Sequence, residues 1–250
     1  STKVEVSILS TCMTGYQPIK FDAPADFGSD GYNLSYTDLP IIRTAEIYLN
    51  YAEAKAELGT LTKDDLLISI DRIRDRAGMK GLDMAAANAN PDPFLLACYP
   101  NVTKSENTGV ILEIRRERTI ELVMEGLRMW DMFRWKEGAQ LVNETNPYYG
   151  IYFSGPGLYD MDGDGRNDLE LYVDKQTSSP ADGLTVLRIG SDIILSDMAE
   201  NRGYVVAWST LKYTWNEERD YLWPIPADQR VLTGGLLTQN PGWTDSTDFD

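Results

Sequence analysis

The chain has 250 residues, 42% hydrophobic and 25% charged, which is enough apolar content for a sizeable core and lacks the depletion that marks disorder. No apolar run approaches the roughly 18 residues that a membrane-spanning helix needs. A net charge of −16 without a basic stripe argues against nucleic acid as a partner, and the absence of histidine excludes Ser-His-Asp and Cys-His nucleophiles and histidine-ligated metals from this chain.

Residues 1–38 open with the alternation Val4, Val6, Ile8, which predicts a strand, followed by a loop rich in Gly, Asp, Ser and Tyr. The start, Ser1-Thr2-Lys3, suggests a piece of a longer chain. Cys12 follows Leu9-Ser10-Thr11, but Lys3 and Glu5 interrupt the apolar stretch a lipoprotein signal requires. Cys12 and Cys98 form no CxxC pair and are expected to be buried and inert.

From Pro40 the apolar residues Ile41, Ile42, Ala45, Tyr48, Leu49, Ala52 and Ala56 recur at helical spacing, with Asp38 as N-cap and Gly59 as the stop. A second helix is predicted from the cap at Thr62 through Leu66, Leu67, Ile70, Ile73 and Ala77 to Gly78. So short a turn makes the two antiparallel, a hairpin of tetratricopeptide-like length whose Ala52, Ala54 and Ala56 allow close approach. The stretch from Gly81 to Pro93 reads as a loop. A third helix, capped by Thr108, is predicted to carry Ile111, Ile114, Ile120, Leu122, Val123 and Leu127 on through Trp130, Phe133 and Trp135, with both tryptophans in the core. One hairpin cannot bury its own apolar face, so a further one is expected from the parent chain or a partner. Charges on the third helix (Glu117, Glu121, Glu125, Arg128, Asp131, Arg134) meet at three- and four-residue intervals, and are expected to lock the hairpins to the lobe that follows. The rival reading makes Glu117 and Glu121 an acid–base pair.

Residues 138–220 read as an irregular lobe with short strands at Leu169–Val173, Leu184–Ile189 and Tyr204–Trp208, and 221–250 as an extended tail set by Pro224 and Pro226, frayed over its last seven residues. The fold class is therefore mainly α, with helical hairpins over 39–137, an entry segment over 1–38 and a loop-rich lobe.

Within the lobe, Asp160, Asp162, Asp164 and Asp168 stand at positions 1, 3, 5 and 9 of a loop whose sixth residue is Gly165, the pattern of an EF-hand-like calcium site. Arg166 would offer its backbone carbonyl. Leu171 occupies the position of the usual bidentate Glu, so the pattern is closer to helix-free acidic calcium loops, and a structural calcium is expected. An acidic turn with no metal is the alternative.

Aromatic residues outside the helices cluster at Tyr32 and Tyr36, at Tyr148, Tyr149, Tyr152, Phe153 and Tyr159, and at Trp208, Tyr213 and Trp215. Rings on Gly-rich loops suit sugar stacking better than core packing. The expected ligand contacts are Tyr148, Tyr149, Tyr152, Trp208, Tyr32 and Tyr36, with Tyr148-Tyr149-Gly150 foremost.

Three segments together resemble the C-terminal half of the SusD/RagB family of outer-membrane nutrient-binding lipoproteins. They are Arg43-Thr44-Ala45-Glu46 through Leu49-Asn50-Tyr51-Ala52-Glu53-Ala54; Arg115-Arg116-Glu117-Arg118 through Glu125-Gly126-Leu127-Arg128 and Asp131 to Arg134-Trp135; and Trp223-Pro224-Ile225-Pro226 with Gln239-Asn240-Pro241-Gly242-Trp243. Thr14-Gly15-Tyr16 with Lys20-Phe21 fits the segment that precedes them. The resemblance implies a non-catalytic glycan-binding protein at the cell surface, anchored by lipid through an N-terminal half, that caps a SusC-like TonB-dependent transporter and passes it oligosaccharide. It leaves open peptide as the cargo, and a two-carboxylate glycosidase stands as the enzymatic alternative.

Overall fold

A computed structural model of the chain describes residues 14–16, 20, 40–141, 149–179, 183–207 and 214–244. The chain divides into two units, residues 1–38 with 143–213 and residues 39–142 with 214–250. Among the described residues, every helix of the α class lies in the second unit and every strand in the first, so the chain is mainly α with small sheets.

In the helical unit, α1 (Thr44–Glu57) buries Ala45, Leu49, Ala52 and Ala56 along one face. It ends as predicted: Gly59 takes φ 69°, its N–H bonds the Ala56 carbonyl at 3.1 Å, and the Thr60 N–H bonds that of Lys55 at 2.9 Å. Its start is later than the periodicity suggests. Arg43 is extended and spends its guanidinium on Glu121 and Glu125, leaving Ile41 and Ile42 exposed instead of on the buried stripe. Asp38 lies outside the described residues.

The helix predicted over 62–77 is two, α2 (Lys63–Ile68) and α3 (Ile70–Arg76), broken at Ser69, whose hydroxyl donates to the Asp65 carbonyl. The expected cap is present: Thr62 Oγ1 accepts from the Asp65 N–H at 3.2 Å and Asp65 Oδ2 accepts from the Thr62 N–H at 2.8 Å. Leu66, Ser69, Ile70 and Ile73 form one buried stripe across the break, whereas Leu67, off that stripe, and Ala77, the C-cap of α3, are exposed.

The stretch predicted as loop, Gly81 to Pro93, holds α4 (Met84–Ala89), capped by the Asp83 carboxylate, and runs into α5 (Pro93–Cys98), capped by Asp92 with proline in its first turn. The Ala-rich run of α4 carries no amphipathic period, which is why the stretch reads as a loop. The third helix is likewise two, α6 (Thr108–Glu121) and α7 (Arg128–Arg134), separated by a turn in which Met124 and Gly126 have φ of 63° and 75°. That turn rotates the stripe. Ile111, Ile114, Leu122 and Trp135 are buried, but Ile120, Val123 and Trp130 are exposed, Trp130 by 57%, contrary to its assignment to the core.

The charged residues of these helices clasp one another. Arg43 holds Glu125 through Nε at 2.8 Å and Glu121 through Nη1 at 2.6 Å; Arg118 holds Asp131 at 2.6 Å and the side-chain Oδ1 of Asn50 at 2.7 Å. Arg134 pairs with Glu53 and with Asp131, and the Trp135 indole N–H donates to Glu53 at 2.6 Å. Burial pushes the Glu53 carboxyl up, but Arg134, Trp135 and Arg118 hold it below its ordinary value. The motif residues thus tie α1, α6 and α7 together. Glu125 meets Arg43, not Arg128, which instead bonds Thr119 and Tyr99.

The predicted extended stretch begins later, at Trp223, because Tyr221 and Leu222 belong to a turn closed by the Leu222 N–H on the Arg219 carbonyl at 3.0 Å; after Pro226 comes a helix the sequence did not announce, α8 (Ala227–Leu232). The two halves of the terminal motif grip each other: Gln239 bonds both the N–H and the carbonyl of Ile225, Asn240 Nδ2 reaches the Trp223 carbonyl at 2.7 Å, and the Trp243 indole that of Leu222 at 2.8 Å.

The strand unit contains β1 (Tyr149–Phe153), β2 (Gly157–Tyr159), β3 (Leu169–Tyr172), β4 (Thr185–Arg188), β5 (Leu195–Asp197) and β6 (Arg202–Val206), in two sheets ordered β1-β6-β5 and β2-β3-β4. Its core is Phe153, Leu169, Leu171, Ile189, Ile193, Leu195 and Val205.

Candidate functional site

Strand alternation decides which side chains of β1 and β6 meet solvent. On β6, Gly203 and Val205 face in while Arg202 and Tyr204 face out. On β1, Gly150 and Phe153 face in, and an irregularity in pairing between Tyr149 and Tyr152 turns both tyrosines outward despite their three-residue spacing. The inner face leaves no room for a side chain at Gly150, where a Cβ would stand 2.3 Å from the Thr14 carbonyl oxygen, the atom that accepts from the Ile151 N–H at 2.9 Å.

The result is a row of three half-exposed rings. Tyr149 stacks on Tyr204 with centroids 5.4 Å apart and an interplanar angle of 27°, and Tyr152, the register partner of Tyr204, meets it edge-on at 5.2 Å and 72°. Exposures are 42%, 54% and 47% for Tyr149, Tyr152 and Tyr204. On the same face as Tyr204, Arg202 pairs with Asp197 at 3.5 Å. Flat rings beside a guanidinium and a carboxylate can stack against the C–H face of a sugar and hydrogen-bond its hydroxyls.

Of the residues expected to bind ligand, Tyr149 and Tyr152 are brought together, while Tyr32, Tyr36, Tyr148 and Trp208 lie outside the described residues. Both tyrosines sit on a strand, not a loop. Tyr204 was missed, although its alternation with Gly203 and Val205 in a predicted strand already put it on the opposite face from Val205. Phe153 and Tyr159 belong to the core, in edge contact at 4.9 Å, and Trp215 packs on Phe133 and Tyr221.

The acidic loop links β2 to β3. Carboxylate oxygens of Asp160, Asp162 and Asp168 lie within 4.8 Å of one another, and Asp164 is not in that group. Asp160 accepts from the N–H groups of Gly163 at 2.7 Å and Gly165 at 2.8 Å, Asp162 from Asp164 at 3.0 Å, Asp164 from Arg166 at 2.9 Å and Asp168 from Met161 at 2.8 Å. The bond from Gly165, with further backbone donors, holds the Asp160 carboxyl below its usual range against the opposing effect of burial. Leu171, in the place of the usual bidentate Glu, is buried in the core and offers no ligand. Its neighbour Glu170 is taken up by the Thr177 and Ser178 N–H groups at 2.6 and 2.7 Å.

In the helical unit a groove of about 480 Å³ is lined by Glu46, Asn50, Glu53, Arg118, Trp130 and Arg134. Most of its polar lining is already committed to the ion pairs of α1, α6 and α7. Glu117 pairs with Arg74, and Glu121 with Arg43 and Arg76, so the carboxylates once eligible for acid–base work hold arginines, although burial pushes the Glu117 carboxyl up against the pull of Arg74. The Cys98 thiol is half-buried, and burial pushes its pKa up; Cys12 lies outside the described residues. Among the described residues no helix is long and apolar enough to cross a membrane.

The profile of the SusD family matches residues 2–243. Among solved structures, a SusD-like protein from Bacteroides fragilis is 24% identical with a TM-score of 0.47, over 87% of this chain and 28% of its own. A SusD-like carbohydrate-binding protein from the same species is 22% identical with a TM-score of 0.44, over 77% of this chain and 27% of its own. The chain matches little more than a quarter of the length of either. Among curated proteins none matches.

Proposed function

The chain belongs to the SusD family, and from that membership we propose that it is a non-catalytic, cell-surface glycan-binding protein whose Tyr149–Tyr152–Tyr204 face holds oligosaccharide. The observation that carries this reading is three mutually oriented, half-exposed tyrosines on one sheet face. A shallow platform buries little ligand area, so dissociation constants of ~10 µM to 1 mM are expected. The protein would be anchored by lipid through an N-terminal half, complete its helical hairpins with tetratricopeptide-type partners there, and pass its cargo to a SusC-like TonB-dependent transporter.

Calorimetry against a panel of malto-, xylo-, cello- and manno-oligosaccharides tests the reading. Binding to at least one, little changed by added salt and without turnover, is the expected result. Silence across the panel with salt-sensitive binding of basic peptides would transfer the function to peptide uptake, for which the net charge of −16 is suited. Release of reducing sugar would make it a glycosidase.

We further propose that the Asp160–Asp168 loop takes a calcium ion. The converging carboxylates of Asp160, Asp162 and Asp168 are hard oxygen donors that fit such a cation, with Asp164 and the Arg166 carbonyl as the other ligands of the sequence pattern. The ion would neutralise mutual repulsion and stiffen the β2–β3 connection.

A further inference from the structure

Among the described residues, four buried polar atoms of the helical unit have no hydrogen-bond partner: Arg115 Nε and Nη1, Glu137 Oε2 and Trp215 Nε1. Arg115 is 3% exposed and Glu137 1%, so bulk solvent does not serve them. Such groups are rarely left unsatisfied in a folded protein, because each loses its hydration without replacement.

Arg115 and Glu137 are neighbours, and Trp215 lies against Gly138, the residue after Glu137. Arg115 Nη1 stands 3.7 Å from Glu137 Oε1, beyond hydrogen-bond reach, and its other amine meets Glu57 only at 3.5 Å. The guanidinium lies over the Trp135 ring at 4.5 Å, which satisfies its face and none of its N–H groups. Glu137 Oε1 accepts from the Asn101 N–H at 2.8 Å, which leaves Oε2. The indole of Trp215 fills the space above Gly138, the next residue: a Cβ there would stand 1.9 Å from Cζ2 and 2.3 Å from Cε2, the carbon bonded to Nε1.

The chemistry of the site selects its ligand. An anion would face the carboxylate of Glu137, to which Glu217 adds negative charge, and a cation would face the guanidinium of Arg115. A neutral molecule that both donates and accepts suits two donors of an arginine, one of an indole and one carboxylate oxygen. Buried waters make about three hydrogen bonds each, so four atoms call for one or two of them. We propose that Arg115, Glu137 and Trp215 hold one or two internal water molecules, which complete the hydrogen bonding of the buried pair and tie the segment beginning at Trp215 to the end of α7. The contact of 3.7 Å between Arg115 and Glu137 is then a water-assisted ion pair.

Diffraction from crystals of the chain to about 1.5 Å or better, with oxygen-17 relaxation dispersion in solution, tests this. The diffraction should show water within roughly 3.2 Å of Glu137 Oε2 and of an Arg115 or Trp215 nitrogen. Trp215→Phe, which keeps an aromatic ring and removes the N–H, should shorten the residence time of a long-lived water at least about threefold, with circular dichroism unchanged, since internal waters are held by their hydrogen bonds. Density that puts Glu137 Oε2 directly on a protein donor, or a dry gap beside it, overturns the proposal, as does a dispersion profile identical in the folded variant. Should the variant fail to fold, the wild-type diffraction decides alone.

Discussion

Replacing Tyr204 by alanine removes the ring that both other tyrosines touch. A tyrosine side chain offers roughly 150–250 Å² of burial, and Tyr204 is 47% exposed, which leaves roughly 70–120 Å² for a ligand. A sugar lying on one face covers about half of that, worth ~1–1.5 kcal/mol at ~25 cal/mol per Å². Without Tyr204, Tyr149 and Tyr152 also lose the contacts at 5.4 and 5.2 Å that orient them, and ordering them on binding then costs about 0.5–1 kcal/mol more. The sum, about 1.5–2.5 kcal/mol, predicts a dissociation constant raised roughly 10- to 60-fold. Calorimetry with the tightest oligosaccharide of the panel reads it directly. Tyr204→Phe, which keeps the ring, should stay within about threefold, and Trp130→Ala, in the helical unit, within about twofold. Wild-type affinity in a folded Tyr204→Ala protein refutes the reasoning, and loss of binding in Trp130→Ala would move the site to the helical groove.

Calcium at micromolar to millimolar concentration should raise the melting temperature of the chain, since a ligand of the native state alone stabilises it by mass action, and Asp160→Asn should abolish the rise. Glu170 is held at about 2 by the Thr177 N–H and hydroxyl and the Ser178 N–H, below its usual 4.5. A depressed carboxyl contributes stability above the unfolded value and loses it on acidification, so the wild type should weaken relative to Glu170→Gln as pH falls from 4.5 toward 2, read by acid titration of circular dichroism. Glu53→Gln removes one of the two carboxylates that hold Arg134 and leaves it Asp131 alone; because Arg134 is partly exposed and keeps that partner, the cost in urea unfolding should be about 2–3 kcal/mol, below the full penalty for breaking a buried pair.

Local signals were legible wherever a single residue type forces a backbone state. The capping box at Thr62 and Asp65 and the left-handed stops at Gly59 and Gly78 follow from residue chemistry alone. Continuity was not legible. The break at Ser69 goes with its hydroxyl on the Asp65 carbonyl, and the turn at Leu122–Leu127 goes with Arg43 reaching Glu125 and with positive φ at Met124 and Gly126, none of which periodicity registers. For the same reason Trp130 was assigned to a core that the turn removes it from. At the candidate site, Tyr149 and Tyr152 were found by composition, yet their shared face depends on a pairing irregularity with β6, a strand about fifty residues later in the chain. Tyr204 needed only strand phase, which is a weaker signal than a run of aromatics.

The most direct measurement is a crystal structure of the chain with the oligosaccharide that calorimetry ranks tightest. An intact sugar stacked on Tyr149, Tyr152 or Tyr204, its hydroxyls reaching Arg202 or Asp197, is the predicted result. A sugar seated elsewhere with those three rings untouched, or found cleaved, would contradict it.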